Sequence, residues 1–190
     1  MDTRQESKIK KLGVFTIAEA KAIGLGQQSL SRLVAAKSLR RVGRGLYLHP
    51  DAKLDQDVGF QIASAKFGSE AAIGGLSALY HYNLAEQVPG QVWVLVPPQK
   101  RTNARGYKLI RTNVTLDHGI VSEKGYRIAS VERAILEGLK FITKIGEKTE
   151  IKAAREALAH RQTTEQKLGK AAKELGLESV LAKYLEVVTP

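Results

Sequence analysis

The fold of the first part of the chain is decided by residues 27–49, which read QQSLSRLVAAKSLRRVGRGLYLH. Leu30, Leu33 and Val34 recur at the spacing of one helical face, so the first half of this stretch predicts an amphipathic helix. Two β-prone runs then flank Gly43-Arg44-Gly45, a pattern that indicates a β-hairpin. The stretch therefore predicts a helix that is followed directly by a basic hairpin.

A second helix precedes this one and is marked by its ends. Thr16, followed three residues later by Glu19, has the pattern of a capping box, which begins a helix at Ile17. The turn Gly24-Leu25-Gly26 ends that helix and leads into the next. Two helices joined by a tight glycine turn form a helix-turn-helix, and a hairpin directly after the second helix is the wing of a winged helix-turn-helix.

The second helix of such a motif lies in the major groove of DNA, with its N-terminal residues at base edges. We therefore expect residues 1–50 to form a DNA-binding domain. The candidates for base contacts are Gln27, Gln28, Ser31 and Arg32. The candidates for phosphate contacts are Lys37, Arg40, Arg41 and Arg44. Two other interpretations stay open: these side chains are only solvated, or the basic hairpin only covers the helices.

Positive charge is concentrated in the same region. The chain of 190 residues holds 30 Lys and Arg against 19 Asp and Glu, a net charge of +11. Residues 1–50 hold ten Lys and Arg against three Asp and Glu, which leaves +7 in that segment. This excess favours a polyanionic partner, with a merely solvated surface as the alternative.

Composition excludes several classes of protein. The chain has no cysteine, which excludes disulfide scaffolds, thiolate zinc sites and cysteine nucleophiles. No apolar run is long enough to span a membrane. The polar residues 1–6 lack the apolar core of a secretory signal. We therefore expect a cytoplasmic protein without a membrane partner.

Residues 54–190 predict a second domain that contains both helices and strands. Val92–Val96 is typical of a buried strand stopped by the following prolines, and short strand patterns recur after it. Ser130 is placed to cap a helix, and about the last forty residues have helical patterns. The expected fold class is α+β: an N-terminal winged helix-turn-helix followed by an α/β domain with a small, mostly antiparallel sheet and C-terminal helices.

A basic segment lies between two of the predicted strands. Its cations are Lys100, Arg101, Arg105, Lys108 and Arg111. The segment is a candidate for a second surface that binds a polyanion, and a solvated sheet face is the open alternative.

Two segments resemble the AbiEi-type antitoxins of bacterial type IV toxin–antitoxin, or abortive-infection, systems. The first runs from Val14 to Tyr47 and includes the glycine turn, the Leu-Arg strand and the Gly-x-Tyr pattern of the wing. The second is Ser130–Glu137, where a strand ends and a helix of the antitoxin domain begins. The resemblance implies an antitoxin, not an enzyme, that binds inverted repeats in its own promoter and represses its operon.

The resemblance also implies a toxin partner. That partner is a nucleotidyltransferase-like protein encoded alongside, and in type IV systems the antitoxin is generally held to act without a stable complex. Residues 54–190 are then the antitoxin domain, and the basic segment is its candidate surface. The resulting phenotype is phage resistance.

Enzyme motifs do not accompany these features. The four histidines lack the spacing of a metal site, and neither a nucleophile elbow nor a phosphate loop is present. We therefore predict no catalytic residues, no metal and no cofactor, and we interpret Glu132 and Arg133 as a structural ion pair or cap.

Two alternatives remain open. Asp117, Glu150 and Lys152 form a nuclease-like fragment that could hold Mg²⁺, although Glu150 falls in a helical context. The other alternative is a stand-alone winged-helix transcriptional regulator with a ligand-sensing C-terminal domain.

Overall fold

The chain is described by a computed structural model over residues 3–43, 45–51, 56–123 and 125–189. The contacts between its residues divide it into two units, Met1–Gly68 and Ser69–Pro190. Leu54, the predicted start of the second domain, lies outside the described residues, so the predicted domain limits stay predictions.

The first unit has the element order of a winged helix. Its elements are α1 (Thr3–Leu12), β1 (Val14–Thr16), α2 (Ile17–Ala22), α3 (Gln27–Ala35), β2 (Arg40–Gly43), β3 (Leu46–Leu48) and α4 (Gln56–Phe67). The strands pair antiparallel in the order β1-β3-β2. The predicted helices and hairpin are confirmed. The third strand, β1, escapes sequence analysis because three residues are too few to show an alternating pattern.

Both faces of this sheet are covered. Phe15 and Tyr47 stack with their ring centroids 5.9 Å apart and face the helices, where they join a buried apolar core. The other core members are Ile9, Ala20, Leu25, Leu30 and Leu39. Leu46 and Leu48 lie on the opposite face and pack with Val58 of α4. Helix α4 therefore completes the first unit.

The second unit combines one sheet with several helices. Its elements are β4 (Ala72–Ile73), α5 (Gly75–His81), β5 (Val92–Val96), β6 (Tyr107–Arg111), β7 (Ile120–Glu123), β8 (Tyr126–Ala129), α6 (Val131–Lys140), α7 (Ile142–Ile145), α8 (Glu147–Ala159), α9 (Glu165–Leu175) and α10 (Glu178–Val188). The strand order is β6-β5-β4-β8-β7. The α+β fold class is confirmed.

This sheet is mixed rather than mostly antiparallel. Among the described strands, β4–β5 and β7–β8 are antiparallel, whereas β4–β8 and β5–β6 are parallel. Residues 97–106 carry the chain back along β5, so β6 runs in the same direction as β5. In sequence, two strands with a short connection are typical of a hairpin. The pairing direction was therefore not predictable from the strand pattern alone.

Close packing explains why the chain has glycine at both positions where α5 begins, Gly74 and Gly75. A Cβ on Gly74 would lie 2.4 Å from the side chain of Leu95, and a Cβ on Gly75 would lie 2.6 Å from the ring of Trp93. Gly75 also has a φ of +50°, a conformation that favours glycine. The pair thus lets the start of α5 approach β5.

A buried ion pair connects α6 to the loop that follows β6. Arg133 is fully buried, and its Nε donates to Glu137 at 3.1 Å. The same guanidinium donates to the carbonyl oxygens of Thr115 and His118 at 2.6 and 2.5 Å, and the Thr112 hydroxyl donates to Glu137 at 2.7 Å. Because a buried charge needs several partners, this network fixes the loop on the helix.

The neighbouring residues confirm the Ser130 cap and correct the predicted pairing of Glu132 with Arg133. Ser130 caps α6 by accepting a hydrogen bond from the backbone N–H of Arg133 at 3.3 Å. The ion-pair partner of Arg133 is Glu137, since Glu132 instead accepts a hydrogen bond from the Thr163 hydroxyl at 2.9 Å.

A second buried acid lies in the helical part of the unit. Glu150 on α8 is 0% exposed, and neither of its carboxyl oxygens has a hydrogen-bond partner in the described part of the chain. It lies against Gly138 of α6, where a Cβ would come within 2.1 Å of its Oε2. Burial raises the pKa of this carboxyl well above its ordinary value. The folded unit therefore favours the neutral acid.

We predict that Glu150→Gln stabilises the protein increasingly as pH rises. The unfolded carboxyl ionises near its ordinary pKa of about 4.3, whereas the folded form stays neutral, so wild-type stability falls by about 1.4 kcal/mol per pH unit between that value and the raised folded pKa. Glutamine is neutral throughout. Thermal denaturation from pH 4 to 8 measures the effect, with the exposed Glu186→Gln as control. A Tm difference that does not change with pH would contradict the prediction.

Candidate nucleic-acid interface

Helix α3, the second helix of the helix-turn-helix and the candidate recognition helix, is positioned by its apolar face. Leu30 is fully buried, and Leu33 and Val34 pack against the same core. The predicted inward face is therefore confirmed. The backbone of Gly26 begins the helix without a side-chain cap, which leaves its first turn open to solvent.

The opposite face of α3 presents the predicted base-contacting residues. All of them are exposed: Gln27, Gln28, Ser31 and Arg32. The small Ala35 is exposed on the same helix, which permits a close approach to a partner surface. The structure thus brings these side chains together on one accessible surface, and their role in base contact stays a prediction.

The turn before α3 is held by the preceding helix. Thr16 and Glu19 form the predicted capping box, in which the Thr16 backbone N–H donates to the Glu19 carboxylate at 2.7 Å and the Glu19 N–H donates to the Thr16 hydroxyl at 3.3 Å. Farther along, the Gln5 side chain of α1 donates to the carbonyl oxygen of Ile23 at 3.3 Å. The capping box thus fixes the start of α2, and the Gln5 hydrogen bond ties α1 to the turn that leads into α3.

The register of the wing places its two adjacent arginines on opposite faces. Arg41 is opposite Tyr47 and thus lies on the face of the helices, whereas Arg40 is opposite Leu48 and lies on the face of α4. Both side chains are exposed at the edge strand β2. The Nε of Arg41 donates to the carbonyl oxygen of Gly43 at 3.3 Å, which directs this guanidinium along the wing.

Of the other two candidate phosphate contacts, the structure describes Lys37 but not Arg44. Lys37 is exposed and directly follows the recognition helix. Arg44, at the predicted tip of the wing, lies outside the described residues.

Ion pairing leaves most cations of this surface available. Within the described ranges, no salt bridge involves Arg32, Lys37, Arg40 or Arg41. On α1, by contrast, Lys10 donates to Asp51 at 3.1 Å, and this hydrogen bond lowers the pKa of the Asp51 carboxyl. Lys37, Arg40 and Arg41 are therefore not neutralised by any carboxylate among the described residues of the first unit.

The basic segment of the second unit follows the edge of its sheet. Arg101 and Arg111 both donate to the carbonyl oxygen of Lys100, at 3.1 and 3.2 Å, so the loop is tied to the end of β6. The ammonium of Lys108 lies 3.8 Å from the centroid of the Trp93 ring. The chain carries no Asp or Glu between residues 86 and 117. The charged side chains of this segment are therefore all cationic.

The nuclease-like residues do not form one site. Asp117 is exposed in a loop and accepts a hydrogen bond from the Thr115 hydroxyl at 2.8 Å, whereas Glu150 is buried against α6. The exposed Lys152 pairs with Glu86 at 2.6 Å. Among the described residues, no group of three or more His, Cys, Asp or Glu side chains could hold a metal ion.

Comparison with known proteins supports the interpretation of the first unit. Residues 5–50 match a family model described as "Transcriptional regulator, AbiEi antitoxin". The resemblance to AbiEi-type antitoxins is confirmed over this segment, which contains the whole helix-turn-helix and wing. The AbiEi match supports an antitoxin regulator.

The fold of the whole chain has a counterpart among solved structures. The crystal structure of the RV2827C protein from Mycobacterium tuberculosis matches with a TM-score of 0.63 and 13% identity, over 98% of this chain and 80% of that chain. At this identity the likeness shows the fold alone. No curated protein matches the sequence significantly. In the described part of the chain, no helix is long and apolar enough to cross a membrane.

Proposed function

We propose that the protein is an antitoxin of a bacterial type IV toxin–antitoxin system that also represses its own operon. The observation that carries this proposal is the exposed polar face of α3 beside the cationic wing, within the segment that matches the AbiEi antitoxin regulators. The protein acts in the cytoplasm, where its promoter DNA is, and confers phage resistance through abortive infection.

Binding to DNA uses two classes of contact. The recognition helix enters the major groove and presents its amide and hydroxyl groups to base edges; these residues are Gln27, Gln28, Ser31 and Arg32. Cations beside the helix and on the wing bind the backbone; these residues are Lys37, Arg40, Arg41 and Arg44. The target is an inverted repeat, bound by a dimer or by two monomers side by side.

Neutralisation of the toxin belongs to the second unit in this proposal. The toxin is a nucleotidyltransferase-like protein encoded alongside, and no stable complex with it is required. The basic segment that follows β5 is the candidate surface for this activity, because none of its residues is acidic. Its cations are Lys100, Arg101, Arg105, Lys108 and Arg111.

A second candidate function is a stand-alone regulator whose second unit senses a ligand. A cleft of about 770 Å³ favours it. The cleft lies where β5 and β6 end and is lined by polar groups that include Gln99, Asn113, Asp117 and Arg127. Clefts with convergent polar groups are common ligand sites.

We predict that Gln28→Ala weakens binding to the native operator by about 1–3 kcal/mol and leaves binding to unrelated duplex DNA nearly unchanged, because a base contact is lost. Fluorescence anisotropy with both duplexes measures the difference. The control is Gln166→Ala, which removes an exposed glutamine of α9. Equal weakening on both duplexes would show that Gln28 does not read a base.

We predict that Arg41→Ala weakens binding to every duplex and lowers the salt slope of log Kobs by about one, as expected for one lost phosphate contact. Arg161→Ala is the matched control, because it removes an exposed arginine of the second unit that the proposal does not place at DNA. A salt titration of both variants measures the slopes. Identical slopes for the two variants would show that Arg41 is not a phosphate contact.

Co-expression tests the antitoxin activity itself. We expect the full chain to restore growth to cells that express the adjacent toxin gene. A triple variant should lose the rescue of growth and keep repression of a promoter reporter; its changes are Arg101→Ala, Arg105→Ala and Lys108→Ala. The variant Arg41→Ala should keep the rescue of growth and lose repression. Repression without any rescue by the wild type would instead support the stand-alone regulator.

A further inference from the structure

The recognition helix ends on a lysine in an unusual backbone conformation. Lys37 has a φ of +57°, in the left-handed region. Its N–H donates to the carbonyl oxygen of Val34 at 3.0 Å, and the N–H of Ser38 donates to that of Leu33 at 2.9 Å. These bonds close the end of α3 and require a left-handed residue at this position.

Helices α2, α5 and α9 end in the same way with residues that suit this conformation better, whereas α8, like α3, ends on a long cationic residue. Gly24 follows α2 with a φ of +82°, Gly176 follows α9 with +64°, and Asn83 follows α5 with +58°. Glycine and asparagine are the usual residues there, since a side chain with a Cβ strains the left-handed backbone. The backbone of this turn therefore does not explain a lysine.

No side-chain hydrogen bond or ion pair among the described residues compensates for this strain. The Lys37 side chain is exposed and takes part in no hydrogen bond or ion pair within the described ranges. Its charge lies near the C-terminal end of α3, where the helix dipole favours a cation, but this effect is small for an exposed group and is screened by salt.

The position of Lys37 suggests what the side chain does. It lies between the recognition helix and β2, three residues before Arg40, where the protein passes from the major groove to the flanking backbone in the proposed complex. We infer that lysine is kept at this strained position because its ammonium binds a DNA backbone phosphate, so that the first unit gives up stability for affinity. This inference rests on the proposed DNA-binding function.

The test uses three variants of the full chain. Lys37→Gly relieves the backbone and removes the charge, Lys37→Arg keeps both the strain and the charge, and Arg161→Gly is the control. Among the residues that the structure describes, Arg161 is the other exposed cation in a left-handed position, with a φ of +56° after α8, and it lies in the second unit. Each variant is measured by thermal denaturation and by binding to a labelled 25-base-pair duplex of unrelated sequence.

We expect Lys37→Gly to raise the Tm and to weaken binding roughly eightfold at 0.1 M salt, with a salt slope lower by about 0.9, as one lost phosphate contact requires. Lys37→Arg should bind like the wild type. Arg161→Gly should raise the Tm without changing DNA binding.

Several results would overturn the inference. If Lys37→Gly binds like the wild type while Arg41→Ala binds more weakly, the proposed DNA-binding function stands and Lys37 is not a phosphate contact. If Lys37→Gly does not raise the Tm although Arg161→Gly does, the lysine is not strained. If the wild type does not bind the duplex even at 20 mM salt, the proposed DNA-binding function fails together with this inference.

Discussion

The geometry of the candidate DNA-binding surface depends on one small apolar core. Leu30 of the recognition helix and Tyr47 of the wing are buried in the same cluster, so one set of contacts orients both elements. A slip of β3 by one residue would move Tyr47 to the other face of the sheet, and a slip of β2 by one residue would exchange the faces of Arg40 and Arg41. Apolar packing therefore decides which cation faces a ligand, although no apolar side chain need contact it.

Two buried ionisable side chains of the second unit, Arg133 and Glu150, lie in opposite surroundings. Arg133 is surrounded by a carboxylate and by backbone carbonyl groups, so its charge is compensated and the loop after β6 is ordered around it. Glu150 is equally buried, yet its carboxyl has no partner in the described part of the chain. The first arrangement fixes the wall of the polar cleft, whereas the second leaves an interface between helices that stays favourable only while the acid is neutral.

Sequence analysis predicted those features that depend on neighbouring residues. The capping box of Thr16 and Glu19, the inward face of α3 and the Ser130 cap all follow from short spacings, and the structure confirms each of them. The resemblance to AbiEi antitoxins rested on the same kind of local pattern, and the family match confirms it over residues 5–50.

Features that depend on distant residues were missed, and so were two local ones. The two-residue strand β4 lies at the centre of its sheet, and its pairing with β8 joins segments more than fifty residues apart. The pairing of Arg133 with Glu137 was missed although a spacing of four on a helix could have indicated it. The left-handed conformation of Lys37 has no sequence signal, because glycine or asparagine is expected there.

The packing of α4 on the wing sheet has a consequence for how two molecules could share one operator. In a winged helix with an open sheet, apolar residues such as Leu46 and Leu48 could form a symmetric contact between neighbouring subunits. Here α4 already covers that surface within each molecule. If the protein binds adjacent half-sites as proposed, any cooperativity between them arises from other surfaces or from the bending of the DNA between them.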